Sequence, residues 1–272
     1  MMTDKTNDAA TRALQLLTEK LNHWRSGPDE AWRSTWPVFE RLIARHNEME
    51  AVYAELEERR VTGQQLWILL EQCVFAGGFG TPDHHAILRA DHRELQELCE
   101  AIPVMSIRLA QALRRMSDIL NRSGYFGVDR MVRLTDYIDE AGRENWLYRS
   151  YIQPRLDELS SFDLKYWPDI SELLQVMGED NFEVECRDEA TAAIVGARRG
   201  SHTDFFRQFF SRLRDVSDGS PWGLPAGFRL SDDAMATISN IICDRSPDDM
   251  IDQAYVKSLR QRLREQGFSA GW

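Results

Sequence analysis

An all-α fold, built as a multi-helix bundle or as two helical lobes with at most one short β element, is predicted by three features of this sequence. Glycine and proline are sparse, at 16 and 9 of 272 residues, while Leu, Ala, Glu, Arg and Gln abound; that balance favours helices over strands. Apolar residues recur at three- and four-residue intervals along most of the chain, the period of amphipathic helices. Hydrophobic residues make up 43% of the chain, enough to bury a substantial core, so disorder is a poor overall description.

The elements follow in order. Residues 4–25 place Leu14, Leu17, Leu21 and Trp24 on one helical face, and Ser26-Gly27-Pro28 stops the pattern. Pro37 opens a longer helix through Phe39, Leu42, Ile43, Met49, Tyr53 and Leu56, ending near Thr62-Gly63. The next segment, QQLWILLEQCVFA, is apolar on nearly every side and reads as a central, buried helix. The glycine run Gly77-Gly78-Phe79-Gly80 then breaks the chain and lets it turn sharply. Thr81 caps the following helix, Pro82 takes its first position, and Asp83 faces its positive end. That helix reaches Glu100 before Pro103 interrupts it, and residues 104–121 form another. Asn121 to Gly127 is the clearest turn in the middle of the chain.

An acidic block comes next. Net charge is −11, but residues 134–189 alone hold fifteen Asp and Glu against five Lys and Arg, so the rest of the chain is close to neutral. Within the block Trp146, Tyr148, Tyr151, Tyr166 and Trp167 are spread around Pro154 and Pro168, which implies short, kinked helices; NFEVEC alternates as a short strand would. Residues 188–198 and 203–216 read as two helices joined by RGSH. The loop SDGSPWGLPAGF leads to a C-terminal module in which Ser231 caps one helix, and Ser246-Pro247-Asp248-Asp249 starts the last helix, near Ala254 to Gln266. The expected organisation is an N-terminal helical lobe over 1–122, an acidic, aromatic-rich central region over 128–216, and a loop with a helical module over 217–272. No repeat holds its pattern, so a solenoid is not supported.

Cys73, Cys99, Cys186 and Cys243 are far apart and form no Cys-x-x-Cys, so they read as buried thiols in a reducing compartment and no cofactor is expected. The N-terminus has acids where a secretory signal needs basic residues, and no uncharged apolar run approaches the roughly 20 residues needed to cross a bilayer. The expected location is the cytoplasm, without a membrane partner.

Three patterns compete for function. Acidic residues joined to aromatics suit a basic protein surface, because carboxylates attract it and Trp and Tyr bury large areas at low entropic cost. The residues expected to bind are Asp136, Asp139, Glu140 and Glu144, on one stripe, with Trp146 and Trp167. This predicts a non-enzymatic interaction module or inhibitor whose target includes the basic surface of a nucleic-acid-binding complex, as a mobile-element antagonist of host machinery would. The competing reading is that the rings fill a core beneath a solvated acidic exterior.

The second pattern is Asp83, His84, His85, Asp91 and His92, an alternative metal-assisted or acid-base site. His84 and Asp91, like His85 and His92, lie seven residues apart and so about 10 Å along a helix, too far to share a metal; Glu48 or His46 would have to contribute from elsewhere. The third is a DNA-binding helix-turn-helix over 188–216 with Arg198, Arg199, Arg207, Arg212 and Arg214. Phe205, Phe206, Phe209 and Phe210 oppose it, since that spacing suits packing, and an acidic chain repels phosphate. No nucleophile elbow, kinase signature, dinucleotide fingerprint or His-Glu-x-x-His motif is present.

Overall fold

The computed structural model describes residues 9–27, 32–61 and 63–271. Residues 4–8 of the expected first helix, Pro28 of its stop and Thr62 at the end of the second lie outside them. The chain is all-α: among the described residues there are twelve α-helices and no strand, and NFEVEC, expected as a short strand, carries no regular secondary structure. Packing divides the chain into two units, residues 1–92 with 185–272, and residues 93–184. That division differs from the three-part organisation expected above. Local turn signals mark the end of a helix, whereas membership of a core is decided by contacts distant in sequence.

In the first unit α1 (Ala9–Ser26) and α2 (Trp36–Ala44) pack on α4 (Gly63–Phe79), α3 (Glu50–Glu58) packs on α1, and the start of α5 (Pro82–Ser123) follows. The expected single helix from Pro37 is two helices, because Arg45 and a 3-10 turn at His46–Met49 separate α2 from α3. α4 is as central as its composition requires: Leu66, Leu69, Leu70, Cys73, Val74 and Ala76 are all buried. The glycines do not end it. Gly77 and Gly78 lie inside α4, where a Cβ on Gly77 would stand 2.9 Å from Val38 Cγ1 and 3.2 Å from Ile242 Cβ, and one on Gly78 2.7 Å from Thr35 Cγ2. They serve close helix approach, and the break comes only at Gly80.

The chain returns to this core with α9 (Glu189–Gly196), α10 (His202–Asp215), α11 (Asp232–Ile242) and α12 (Gln253–Glu265). Phe206, Phe209 and Phe210 on α10 are fully buried, and α10 packs on α4. The loop between α10 and α11 is anchored by buried Leu224, Phe228 and Leu230. Ser231 caps α11 by accepting from the Ala234 N–H, as its position implied. The final cap differs: Pro247–Asp249 makes only a 3-10 turn, and Asp252 caps α12. Of the cysteines only Cys73 is fully buried, and among the described residues none is disulfide-bonded.

The second unit begins within α5, which continues through Pro103 to Ser123. Proline removes one helical donor there, yet the helix persists, with Ser106 Oγ donating to the Ile102 carbonyl at 2.9 Å. α6 (Leu134–Gly142), a π-helical turn at Tyr148–Ile152, α7 (Gln153–Leu159) and α8 (Ile170–Glu179) follow, the short, interrupted helices that Pro154 and Pro168 implied. α8 lies against α5: a Cβ at Gly178 would meet Ile107, and Arg114 reaches Gln175 and the Ser171 carbonyl.

Two outcomes follow from this packing. Gly77→Ala should cost about 1–3 kcal/mol in urea unfolding through overpacking against Val38, whereas Gly196→Ala, in α9 with nothing near its added Cβ, should gain about 0.4–1 kcal/mol. Equal effects at the two positions would contradict the close-approach role. In native-state hydrogen exchange, amides of residues 134–184 should lose protection well before those of α4, α10 and α11, because few buried apolar contacts hold them.

Candidate functional site

Residues 93–184 carry the apolar surface of this protein. Among the described residues 22 of the 27 exposed large hydrophobic side chains lie in this unit, whereas Ala110 is its one buried apolar residue and none of the unit belongs to the hydrophobic core cluster. The aromatic rings that the competing reading puts in a core lie largely at the surface: Trp146, Tyr151 and Tyr166 are 60%, 61% and 67% exposed, and Trp167 is half-buried.

The best-formed part of this surface is on α8. Asp169 caps the helix with a reciprocal capping box to Glu172, fixing its start. Leu173, Val176 and Met177 then fall at i, i+3 and i+4, one face of the helix, and all three are exposed. With Phe182 they floor a groove of about 580 Å³ that has Glu179 and Asp180 at its edge. An apolar floor beside two carboxylates suits an apolar side chain flanked by Lys or Arg.

The acidic residues expected to form one stripe are arranged differently. Asp136 is exposed on α6, but Asp139 is half-buried and accepts a hydrogen bond from the Tyr148 hydroxyl, which pushes that phenol up to about 12. Glu140 pairs with Arg143 at 2.6 Å. Glu144 is exposed but follows the end of α6 at Gly142, so it does not continue the helix face. Helical spacing extrapolated past that end joined residues that the backbone separates.

The Asp/His cluster disperses. Thr81 Oγ1 accepts from the His84 N–H at 3.2 Å, confirming the cap, while Asp83 and Asp91 are exposed. His84 packs on the Phe79 ring, and His85, only 2% exposed, contacts Gln208 at 3.2 Å. Glu48 is held by Arg45 and His46 contacts the Tyr53 hydroxyl. Among the described residues no group of three or more His, Cys, Asp or Glu is placed to hold a metal ion.

His85 does line a cavity of about 690 Å³ inside the first unit, whose wall also includes Arg41, Thr81, His202, Phe205 and Arg245. Burial lowers the pKa of His85, and burial with the charge of Arg245 lowers that of His202 to about 4, so both rings are neutral near pH 7. Cys243, also in the wall, is kept a thiol by burial, its pKa pushed up to about 11. Sequence reasoning singled out His85 and the glycine run beside it but missed Arg41, His202 and Arg245, which come from three distant segments.

In the expected helix-turn-helix, Arg207 is tied to fully buried Asp204 at 2.8 Å, Arg212 lies over the Phe75 ring, and Arg214 bonds Ser269. Arg198 and Arg199 are exposed in the connecting turn. No protein-family model, curated protein or solved structure matches the chain. No helix among the described residues is long and apolar enough to cross a membrane.

The histidines set a pH dependence. An unfolded histidine takes a proton near 6.5, whereas folded His202 resists it to about 4. The unfolded chain therefore binds more protons across that window, and the stability that neutral His202 contributes is complete above it and lost as pH falls through it. Urea midpoints should drop between pH 7 and about pH 5.5, before most carboxylates titrate. His202→Gln should flatten that decline; an unchanged slope would place the proton uptake elsewhere.

Proposed function

We propose that this protein is a non-enzymatic interaction protein, an inhibitor or regulator, that uses residues 93–184 to bind a basic, amphipathic protein segment. The observation that carries this reading is the exposure of apolar side chains in a unit that has almost no core of its own. Scattered apolar residues on a surface are ordinary, but a helix face continuous with a groove favours a partner. Covering a Val, Leu, Met or Phe fully contributes about 1.5–3 kcal/mol each. The four that floor the α8 groove can therefore anchor a complex.

Charge selects the partner. Residues 134–184 hold twelve acids against four bases, so a second copy would bring like charge to the same face, while a basic segment gains in encounter rate and in discrimination. Nucleic-acid-binding proteins present such segments. A protein occupying one would compete with nucleic acid, the mode of action of an antagonist of host machinery encoded by a mobile element.

Affinity purification from the native host, with wild-type and variant baits, tests the reading. The expected partner is a basic protein whose recovery falls as salt rises and is lost from a Val176→Asp/Met177→Asp bait with unchanged circular dichroism. Glu179→Lys/Asp180→Lys should slow association and remove much of the salt dependence. Recovery of the same partner by both double variants would defeat the proposal. So would a homodimer in light scattering that Val176→Asp/Met177→Asp dissolves, since the occupant would then be a second copy.

A further inference from the structure

The cavity of the first unit carries an inference independent of the partner surface. Its wall combines an apolar side, from Phe205, Ile242 and Pro82, with guanidinium and imidazole groups from Arg41, Arg245, His85 and His202. Such a mixture, at about 690 Å³, is the usual make-up of a small-molecule site.

Its charges are not balanced alike. Arg245 has its carboxylate: its Nη1 donates to both the backbone carbonyl and the carboxylate of Asp249, each at 2.8 Å, although its buried Nε has no acceptor. Asp244, the other acid in the wall, is exposed. Arg41 donates from Nη2 to the Ile242 carbonyl at 2.7 Å, which fixes its head group, yet among the described residues it has no carboxylate partner and its buried Nε has no acceptor. A half-buried guanidinium without a counter-ion beside an apolar wall is costly unless something pairs with it.

His202 points the same way. Its ring stacks on Phe205, 5.6 Å between centroids, and its Nδ1 lies 3.3 Å from the Tyr255 hydroxyl, while its buried Nε2 has no partner. Nε2 is thus a second buried polar atom that a ligand can satisfy, as acceptor or donor according to which partner of the Nδ1–Tyr255 contact supplies the proton. The wall thus offers unsatisfied guanidinium donors on Arg41 and Arg245, one guanidinium without a carboxylate partner at Arg41, and a flat apolar face.

We infer that this cavity binds a small organic monocarboxylate, its carboxylate paired with Arg41 and its apolar body against Phe205 and Ile242. One unpaired cation matches one negative charge, and the Phe205 ring favours a flat or aliphatic body.

Benzoate and phenylpropionate, with their amides as neutral isosteres, test this on the full chain at constant ionic strength. Either acid should raise the melting temperature saturably while its amide does not. Arg41→Gln, with wild-type circular dichroism, should weaken binding by about 10- to 100-fold, the usual loss for a hydrogen bond to a charged group. Because that variant also loses the bond to Ile242, a second measurement uses the wild type: the ring nitrogen resonances of His202 should shift during the titration with the same saturation. No saturable response to either acid, equal binding of the amides, or a melting shift that leaves His202 unmoved would overturn the inference. The partner experiment does not depend on it, so each can fail alone.

Discussion

How closely other helices can approach α4 sets the arrangement of the first unit. At Gly77 and Gly78 nothing projects from the α4 backbone, so Val38, Thr35 and Ile242 come within van der Waals reach of it. Cores are packed to crystal-like density, and a contact this tight leaves no room for even a methyl group. It holds α2 and α11 at fixed depth. Arg41 is three residues after Val38 and so lies on the same side of α2, which brings its guanidinium to the carbonyl of Ile242, the residue that touches Gly77. One steric constraint therefore positions both the core and the basic wall of the cavity.

The two units resolve the same physical demand differently. An amphipathic helix must cover its apolar stripe, and α1, α2, α4, α10, α11 and α12 do so against one another. α8 turns its glycine toward α5 but leaves Leu173, Val176 and Met177 uncovered. Local devices hold its shape, chiefly the Asp169 capping box and the Arg114 bonds, and neither supplies hydrophobic stabilisation. A unit stabilised in that way gains directly from whatever covers the exposed face, because ligand binding adds to the folded state alone.

Much of the helical layout was legible in the sequence because its signals are local. Period, caps and composition placed α1, α4, α9 and α10, and Thr81 and Ser231 make the bonds their positions implied. What was not legible depends on contacts distant in sequence. A glycine pair looks the same whether it turns the chain or admits Val38, and Pro103 does not reveal that α5 will run through it. The acidic stripe is cut short for a related reason: Asp136, Asp139 and Glu140 lie within α6, but the helix stops at Gly142 before Glu144, and Tyr148 returns to bind Asp139. Arg41, His202 and Arg245 became neighbours only through the packing of α2, α10 and the segment after α11.

Charge and exposed apolar surface carry different weight in the reading of residues 93–184. An acidic face alone needs no partner, because solvated carboxylates are stable in water and keep proteins apart. Exposed Trp146, Tyr151 and Tyr166 gain nothing from that role, and neither does an apolar groove. Apolar surface supplies most of the free energy of association but says little about the partner's identity, whereas carboxylates discriminate among partners while adding less to affinity. Glu179 and Asp180 at the rim of the α8 groove place the two effects within one contact. A partner's apolar side chain can seat there only if its neighbours tolerate two negative charges, and that condition excludes acidic and favours basic segments.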